Sequence, residues 1–188
     1  LFAANGLRGE AEVRLCNYLE LGPRERFDRI VSVGMFEHVG LAHYTDFFNK
    51  VQLMLEPGGI CVLHTLTKQQ PGQTDPWIAK YIFPGGRIPA FTEVIDCLPE
   101  HDFHLMHVES LRRHYVKTLD MWYENFSKPE VLAKVRAKFG EEFIRMWTLY
   151  LRMSSASLAT GGLDVHQFVF SKGIADDVPM TLEEVYGS

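Results

Sequence analysis

The sequence predicts an α/β domain organised on a parallel sheet, and three observations carry that expectation. Residues 27–66 run strand, helix, Pro-Gly-Gly, strand, the βαβ unit whose right-handed crossover sets two strands parallel. Further on, residues 103–109 and 165–170 alternate apolar and polar side chains, as half-buried strands do. A content of 46% hydrophobic and 23% charged residues over 188 positions is enough for one buried core without disulfide staples.

Taken in order, residues 13–16 are a short β-prone run, followed by Asn17 and Tyr18. Phe27–Val33 (FDRIVSV) is a stronger strand, rich in β-branched residues and closed by Gly34. Over residues 43–55, Tyr44, Phe47, Phe48, Val51 and Leu55 recur at helical spacing. Pro57-Gly58-Gly59 is expected to end that helix before a buried strand at 60–66 (ICVLHTL). The segment 67–89 carries Pro71, Pro76, Pro84 and Pro89 around a short helical stretch at 76–82, and connections this long commonly serve as lids or binding loops. Residues 91–98 read as a helix. Helices fill 118–159, with Pro129 breaking the first from the next. Strands 103–109 and 165–170 are expected to close the sheet as an edge pair, the helices forming an insertion between them. The tail 173–188 is acidic and expected to be loosely held.

Bulk properties exclude several function classes. A net charge of −5 argues against a broad basic face for nucleic acid. The three cysteines, Cys16, Cys61 and Cys97, show no CxxC or Cys/His ligand spacing, so neither a disulfide framework nor a metal site is expected, and a reducing, cytoplasmic compartment fits. Apolar runs such as 60–63 fall far short of the ~20 residues of a membrane span. No basic stretch followed by an apolar run marks a secretory signal.

Ligands of open parallel sheets bind beyond the carboxyl ends of the strands. Glu37 follows strand 27–33, His64 ends strand 60–66, and Tyr115 lies beyond strand 103–109. A carboxylate, an imidazole and a phenol in one crevice can hold a small anion or move a proton. Singly, each has a plain structural reading: a Glu after a strand caps a helix or faces water, and a His at a strand end is commonly a satisfied core residue.

Beyond these residues a resemblance carries the argument. FDRIVSVGMFEHVG, PGGICVLHT, YIFPGGRIPA, HYVKTLDMWYENF, FIRMWTLYL and DVHQFVF, in that order, resemble the cyclopropane-fatty-acyl-phospholipid synthase family, which includes the mycolic acid cyclopropane synthases. The resemblance implies a class I S-adenosylmethionine-dependent methyltransferase with a Rossmann-like sheet. It further implies methyl transfer to the cis double bond of an unsaturated acyl lipid, and closure of a cyclopropane ring with bicarbonate as the base. By motif position it assigns Glu37, His64 and Tyr115 as catalytic, bicarbonate-holding side chains, and the backbone carbonyl of Leu66 as a further bicarbonate ligand. A Glu would accept the bicarbonate O–H while His and Tyr donate to its oxygens. Tyr18, with Asn17 beside it, falls where the family places residues next to the cofactor's adenine, packing being the alternative. Trp77, Tyr81, Phe83, Trp122, Trp147 and Tyr150 are candidate walls of a lipid pocket, against ordinary core packing. His38 and Pro84-Gly85-Gly86 read as structural, and His114 as a neighbour of the site.

The chain also departs from the family pattern. The Gly-Gly pairs at 58–59, 85–86 and 161–162 lack the G-x-G context of a cofactor-binding turn, and a cysteine expected upstream is absent. Residues 153–162 (MSSASLATGG) are smaller and more polar than the aromatic- and Arg-bearing stretch expected there. The family's strand order is 3-2-1-4-5-7-6, and the chain supplies residues 13–16 as strand 3 and Phe27–Val33 as strand 4 without strands 1 and 2. The expectation is therefore residues 1–188 as the C-terminal portion of a single methyltransferase domain, N-terminally truncated and inactive alone, Leu1 not being the natural start. A missing N-terminal half, a swapped protomer or a local rearrangement is expected over the bare edge of strand 27–33. The competing functions are an acyl-alkene C-methyltransferase without ring closure and a non-catalytic lipid- or partner-binding fragment. For a phospholipid substrate, transient contact with the inner membrane face is expected.

Overall fold

A computed structural model describes residues 9–176, 178, 179, 181, 183 and 187. Four strands form one mixed sheet in the order β1-β2-β4-β3, where β1 is Phe27–Val33, β2 Leu55–Thr67, β3 Phe103–Ser110 and β4 Asp164–Lys172. β1 and β2 are parallel, and β4 runs antiparallel to both β2 and β3. The βαβ unit and the β3/β4 pair thus form as the sequence pattern predicts.

Helix α1, Tyr44–Met54, buries Tyr44, Phe47, Phe48, Val51 and Met54. It ends one residue short of the expected Leu55, which takes extended backbone at φ −82° and ψ 133° and opens β2. Pro57-Gly58-Gly59 therefore sits inside β2 rather than before it. Between Phe27↔Leu55 and Arg29↔Ile60 the register slips, and the Pro-Gly-Gly residues absorb the slip. Gly59 fits there because a Cβ would lie 2.8 Å from the Glu56 carbonyl oxygen and 2.9 Å from Leu55 Cγ. Helix α2, Pro76–Tyr81, is capped by Asp75, which accepts from the backbone N–H of Trp77 and Ile78. Helix α3 spans Phe91–Glu100.

The sheet's two faces bury different cores. Cys61 and Leu63 of β2 and Phe168 and Phe170 of β4 join α1 and α3 in an aromatic-rich core with Phe36, Phe48 and Phe103. On the other face, Leu66 and Val165 pack with Leu119 of α4, Arg112–Phe126, and with Leu151 and Leu158 of α5, Pro129–Ala159. Gly140, at φ 82° and ψ 178°, kinks α5.

Two expectations change. Residues 13–16 are not a strand: Val13 and Leu15 are 76% and 104% exposed, because no strand among the described residues offers them a ladder. The helical insertion begins at Arg112 rather than residue 118, so Tyr115 stands in the first turn of α4. β1 is the outer strand of the sheet in this chain, with Val31 66% and Val33 64% exposed.

Phe48 has no exposed surface and meets the rings of Phe36, Phe47, Phe103 and Phe170 at 5.2–6.3 Å between centroids. Phe48→Ala is expected to lower unfolding free energy by about 3–5 kcal/mol, while Val31→Ala changes it by less than about 0.5 kcal/mol. Urea unfolding followed by circular dichroism checks both.

Candidate active site

The site forms where β1 and β2 end side by side. The Gly34 N–H donates to the His64 carbonyl at 3.0 Å, prolonging the parallel ladder by one bond. The chain then tightens into the single turn Phe36–His38, pinned by the fully buried Phe36 ring, which stacks on Tyr44 at 4.4 Å. That anchor aims Glu37 back across the strand ends, where Oε1 accepts from the Leu66 backbone N–H at 2.7 Å. The Glu37 carbonyl accepts from the Arg87 N–H at 2.7 Å and so ties down the 67–89 loop. Arg87 in turn forks onto Glu93 at 2.6 and 2.9 Å and donates to Tyr44 Oη at 3.1 Å.

His64 is buried on the sheet face covered by α4. Its Nε2 lies 2.8 Å from Tyr115 Oη, and Gln167 Nε2 lies 3.2 Å from its Nδ1. Burial pushes the His64 imidazole below its ordinary value, and the Glu37 charge pulls the other way. Burial, and after it the Glu37 charge, raises the Tyr115 phenol. Near neutral pH, His64 is therefore uncharged and Tyr115 keeps its proton. Glu37 Oε2 is buried and has no hydrogen-bond partner among the described residues. A buried acceptor left unpaired costs about 1–3 kcal/mol, so the arrangement favours a small guest that brings a donor.

The structure thus brings Glu37, His64, Leu66 and Tyr115 together. Leu66 meets Glu37 through its N–H, and its carbonyl accepts from Thr65 Oγ1 at 3.2 Å. Phe83, Tyr150 and Trp147 form a continuous ring path that begins at His38, with spacings of 5.8, 5.9 and 5.0 Å. Trp77 and Tyr81 pair with each other on α2 at 5.8 Å, and Trp122 stands 52% exposed on α4. Tyr18 packs edge-on against Phe47 at 5.8 Å, and Asn17 Oδ1 accepts from the Leu19 N–H at 3.0 Å. Gln167, against His64, and Arg87, against Glu37, also border this cluster, although neither stands out in the sequence. For Gln167 the signal is faint: it shares the β4 face of buried Val165, where an apolar side chain is expected.

Class I methyltransferases bind their cofactor on a glycine-rich strand-to-helix turn. Among the described residues, the glycine after β1 leads instead into the short turn carrying Glu37, and Asn17 and Tyr18 already have local partners. These residues do not by themselves make a cradle for S-adenosylmethionine. No group of His, Cys, Asp and Glu among them is arranged for a metal ion.

Sheet order, the mixed pairing and the helices on both faces define the class I S-adenosylmethionine-dependent methyltransferase fold, here with four of its strands. A solved mycolic acid cyclopropane synthase, CmaA1 complexed with SAH and CTAB, matches with a TM-score of 0.76 at 32% identity, over 85% of this chain and 59% of that one. The chain belongs to the mycolic acid cyclopropane synthetase family, whose model matches residues 1–168. Similar curated proteins include the cyclopropane-fatty-acyl-phospholipid synthase of Escherichia coli K12, 37% identical over 88% of this chain and 42% of that protein. Another is the tuberculostearic acid methyltransferase UfaA1 of Mycobacterium tuberculosis, 36% identical over 88% of this chain and 40% of that protein. The chain spans about half or less of the length of the curated relatives it matches.

The lowered His64 pKa has a stability consequence. The unfolded chain binds this proton more readily, so the contribution is complete above the unfolded value of 6.5 and is lost as pH falls below it. His166, also lowered by burial, acts in the same direction. The urea midpoint is expected to fall from neutral to mildly acidic pH, and to fall less in His64→Gln. Equal slopes for the two proteins would contradict this account.

Proposed function

We propose that this chain carries the base site and part of the lipid site of an S-adenosylmethionine-dependent methyltransferase, which acts on the cis double bond of an unsaturated acyl lipid and closes a cyclopropane ring. The observation that carries the reading is the buried Glu37 Oε2, without a hydrogen-bond partner among the described residues and close enough to His64 and Tyr115 for its charge to act on both. A bicarbonate ion fits that donor set: its hydroxyl would satisfy Glu37, and its oxygens would accept from the protonated Tyr115. Bound there, it would supply a base beside the reacting chain. The cofactor would supply the methyl group, and its cradle belongs to parts of the protein outside the described residues.

What the chain's own residues do follows from their environment. Glu37 fixes the orientation of the guest by accepting. Neutral His64 supports Tyr115 through their 2.8 Å hydrogen bond without adding charge, and Tyr115 keeps a phenolic proton. The path His38, Phe83, Tyr150, Trp147 would serve as an aromatic wall along which an acyl chain can lie. We further propose that the N-terminal part of the longer protein, or a swapped protomer, covers the outer edge of β1. The same reading has the enzyme cytoplasmic and meeting phospholipid at the membrane surface. No helix among the described residues is long and apolar enough to cross a membrane.

A second reading is methylation of the acyl alkene without ring closure. It is favoured by the 36% identity to a protein named as a tuberculostearic acid methyltransferase. Mass spectrometry of the lipid product separates a cyclopropane from a methyl branch. A non-catalytic, lipid- or partner-binding fragment is the third, and calorimetry of this chain alone with S-adenosylmethionine is expected to show no tight binding.

The test uses the full-length protein and labelled methyl incorporation into vesicles of unsaturated phospholipid. Glu37→Gln is expected to lower kcat by roughly 10²–10⁴-fold. Removal of bicarbonate from the buffer should slow the unaltered enzyme, and its return should restore the rate. A near-normal rate for Glu37→Gln would remove this residue from the base site.

A further inference from the structure

We propose that Gln167 is a positioning residue that fixes the tautomer of His64 and thereby leaves the Tyr115 hydroxyl proton free to be donated into the site. The inference rests on the base-site reading above and adds to it a direction for every hydrogen bond in the relay.

The placement comes from the sheet. In the antiparallel β2/β4 ladder, His64 and Gln167 are direct cross-strand partners, so their side chains leave the same face. Val165, two residues earlier on β4, packs in the core under α4 and α5. Gln167 thus puts an amide between two cross-strand partners, His64 of β2 and Glu109 of β3, and that amide meets His64 Nδ1 at 3.2 Å. Its identity matters because a neutral imidazole has one donor and one acceptor. With the amide Nε2 donating, Nδ1 is the acceptor and the ring proton must sit on Nε2. That proton is donated to Tyr115 Oη at 2.8 Å.

Tyr115 then accepts from His64, and its own O–H remains to be donated elsewhere. In the opposite tautomer, Nε2 would be the acceptor and the phenolic proton would be spent on it. The space beside Glu37 would then lose the Tyr115 donor, and an anion there would keep its own hydroxyl bond to Glu37 but lose the Tyr115 proton to its remaining oxygens. The choice of an amide at position 167 is therefore a choice about Tyr115, which Gln167 does not touch. A carboxylate at this position accepts only, so it would draw the proton to Nδ1 and reverse the relay.

The experiment starts with the 188-residue chain, labelled with ¹⁵N-histidine, at neutral pH. Long-range proton–nitrogen correlations, with His64 assigned by its absence from His64→Gln, are expected to show a protonated Nε2 and a bare Nδ1. Gln167→Glu is expected to move the proton to Nδ1, or to protonate both nitrogens, and Gln167→Leu to give a mixture. A proton on Nδ1 in the unaltered chain, or an unchanged Nε2–H in Gln167→Glu, overturns the proposal. The measurement on the unaltered chain needs no substitution at Gln167. In the full-length protein, Gln167→Glu is expected to lower kcat by roughly 10–100-fold, more than Gln167→Leu does, while KM for lipid stays within about 2-fold. Equal losses in both variants would mark a merely structural role and overturn it. The tautomer measurement stands whether or not the protein methylates lipid, so failure of the base-site reading, seen in Glu37→Gln, is separate from failure of this inference.

Discussion

The central strand β2 makes ladders on both of its edges, parallel to β1 and antiparallel to β4, and the site and both cores depend on that double pairing. Because successive side chains of a strand leave opposite faces, Cys61 and Leu63 serve the aromatic core under α1 and α3 while His64 and Leu66 face α4. A slip of one residue would exchange these sets and put His64 into the aromatic core. The Pro-Gly-Gly irregularity at the start of β2 sits upstream of this stretch. From Arg29↔Ile60 to Val33↔His64 the parallel register is uninterrupted, which is the stretch the site requires.

The loop between β2 and α3 is held at its base by Lys68 and Ala90. The Lys68 N–H donates to Pro89, and the Phe91 N–H donates back to Lys68. Within it, Arg87 does two things at once. Its side chain bridges α3 to α1 through Glu93 and Tyr44, and its N–H holds the Glu37 carbonyl. The half-buried Arg87–Glu93 pair is bidentate, the geometry in which such pairs are strong. Glu37 is thus held at Oε1 by a strand and at its backbone by a loop, while Oε2 has no hydrogen-bond partner among the described residues. Neutral His64 and protonated Tyr115 lie within reach of the Glu37 charge, a setting that suits a guest able both to donate and to accept.

How much was legible in the sequence varies by element and for physical reasons. The strands at 27–33 and 103–110, the helices at 44–54, 76–81 and 91–100 and the final strand all stand close to their predicted bounds. Each is marked by its own periodicity or by Pro, Gly or Asp at its end. The start of α4 was not legible, because Leu111 provides no capping side chain and the run from Arg112 to Lys117 shows no apolar repeat. Residues 13–16 have strand-like composition yet remain extended and exposed, since composition cannot supply the neighbour a strand needs. Among the aromatic candidates, Phe83, Trp147 and Tyr150 meet and Trp122 does not. Ring content alone could not distinguish them.

By itself the sequence determined the α/β class, the βαβ unit and the three polar residues at strand ends, because periodicity and glycine punctuation are local and leave their mark within a few residues. Only the tertiary structure decided that Glu37 binds the Leu66 N–H, that His64 meets Tyr115, and that Gln167 stands behind His64. These contacts join residues 29, 51 and 103 positions apart. Strand register and helix docking set such distances, and no local pattern of side chains encodes them.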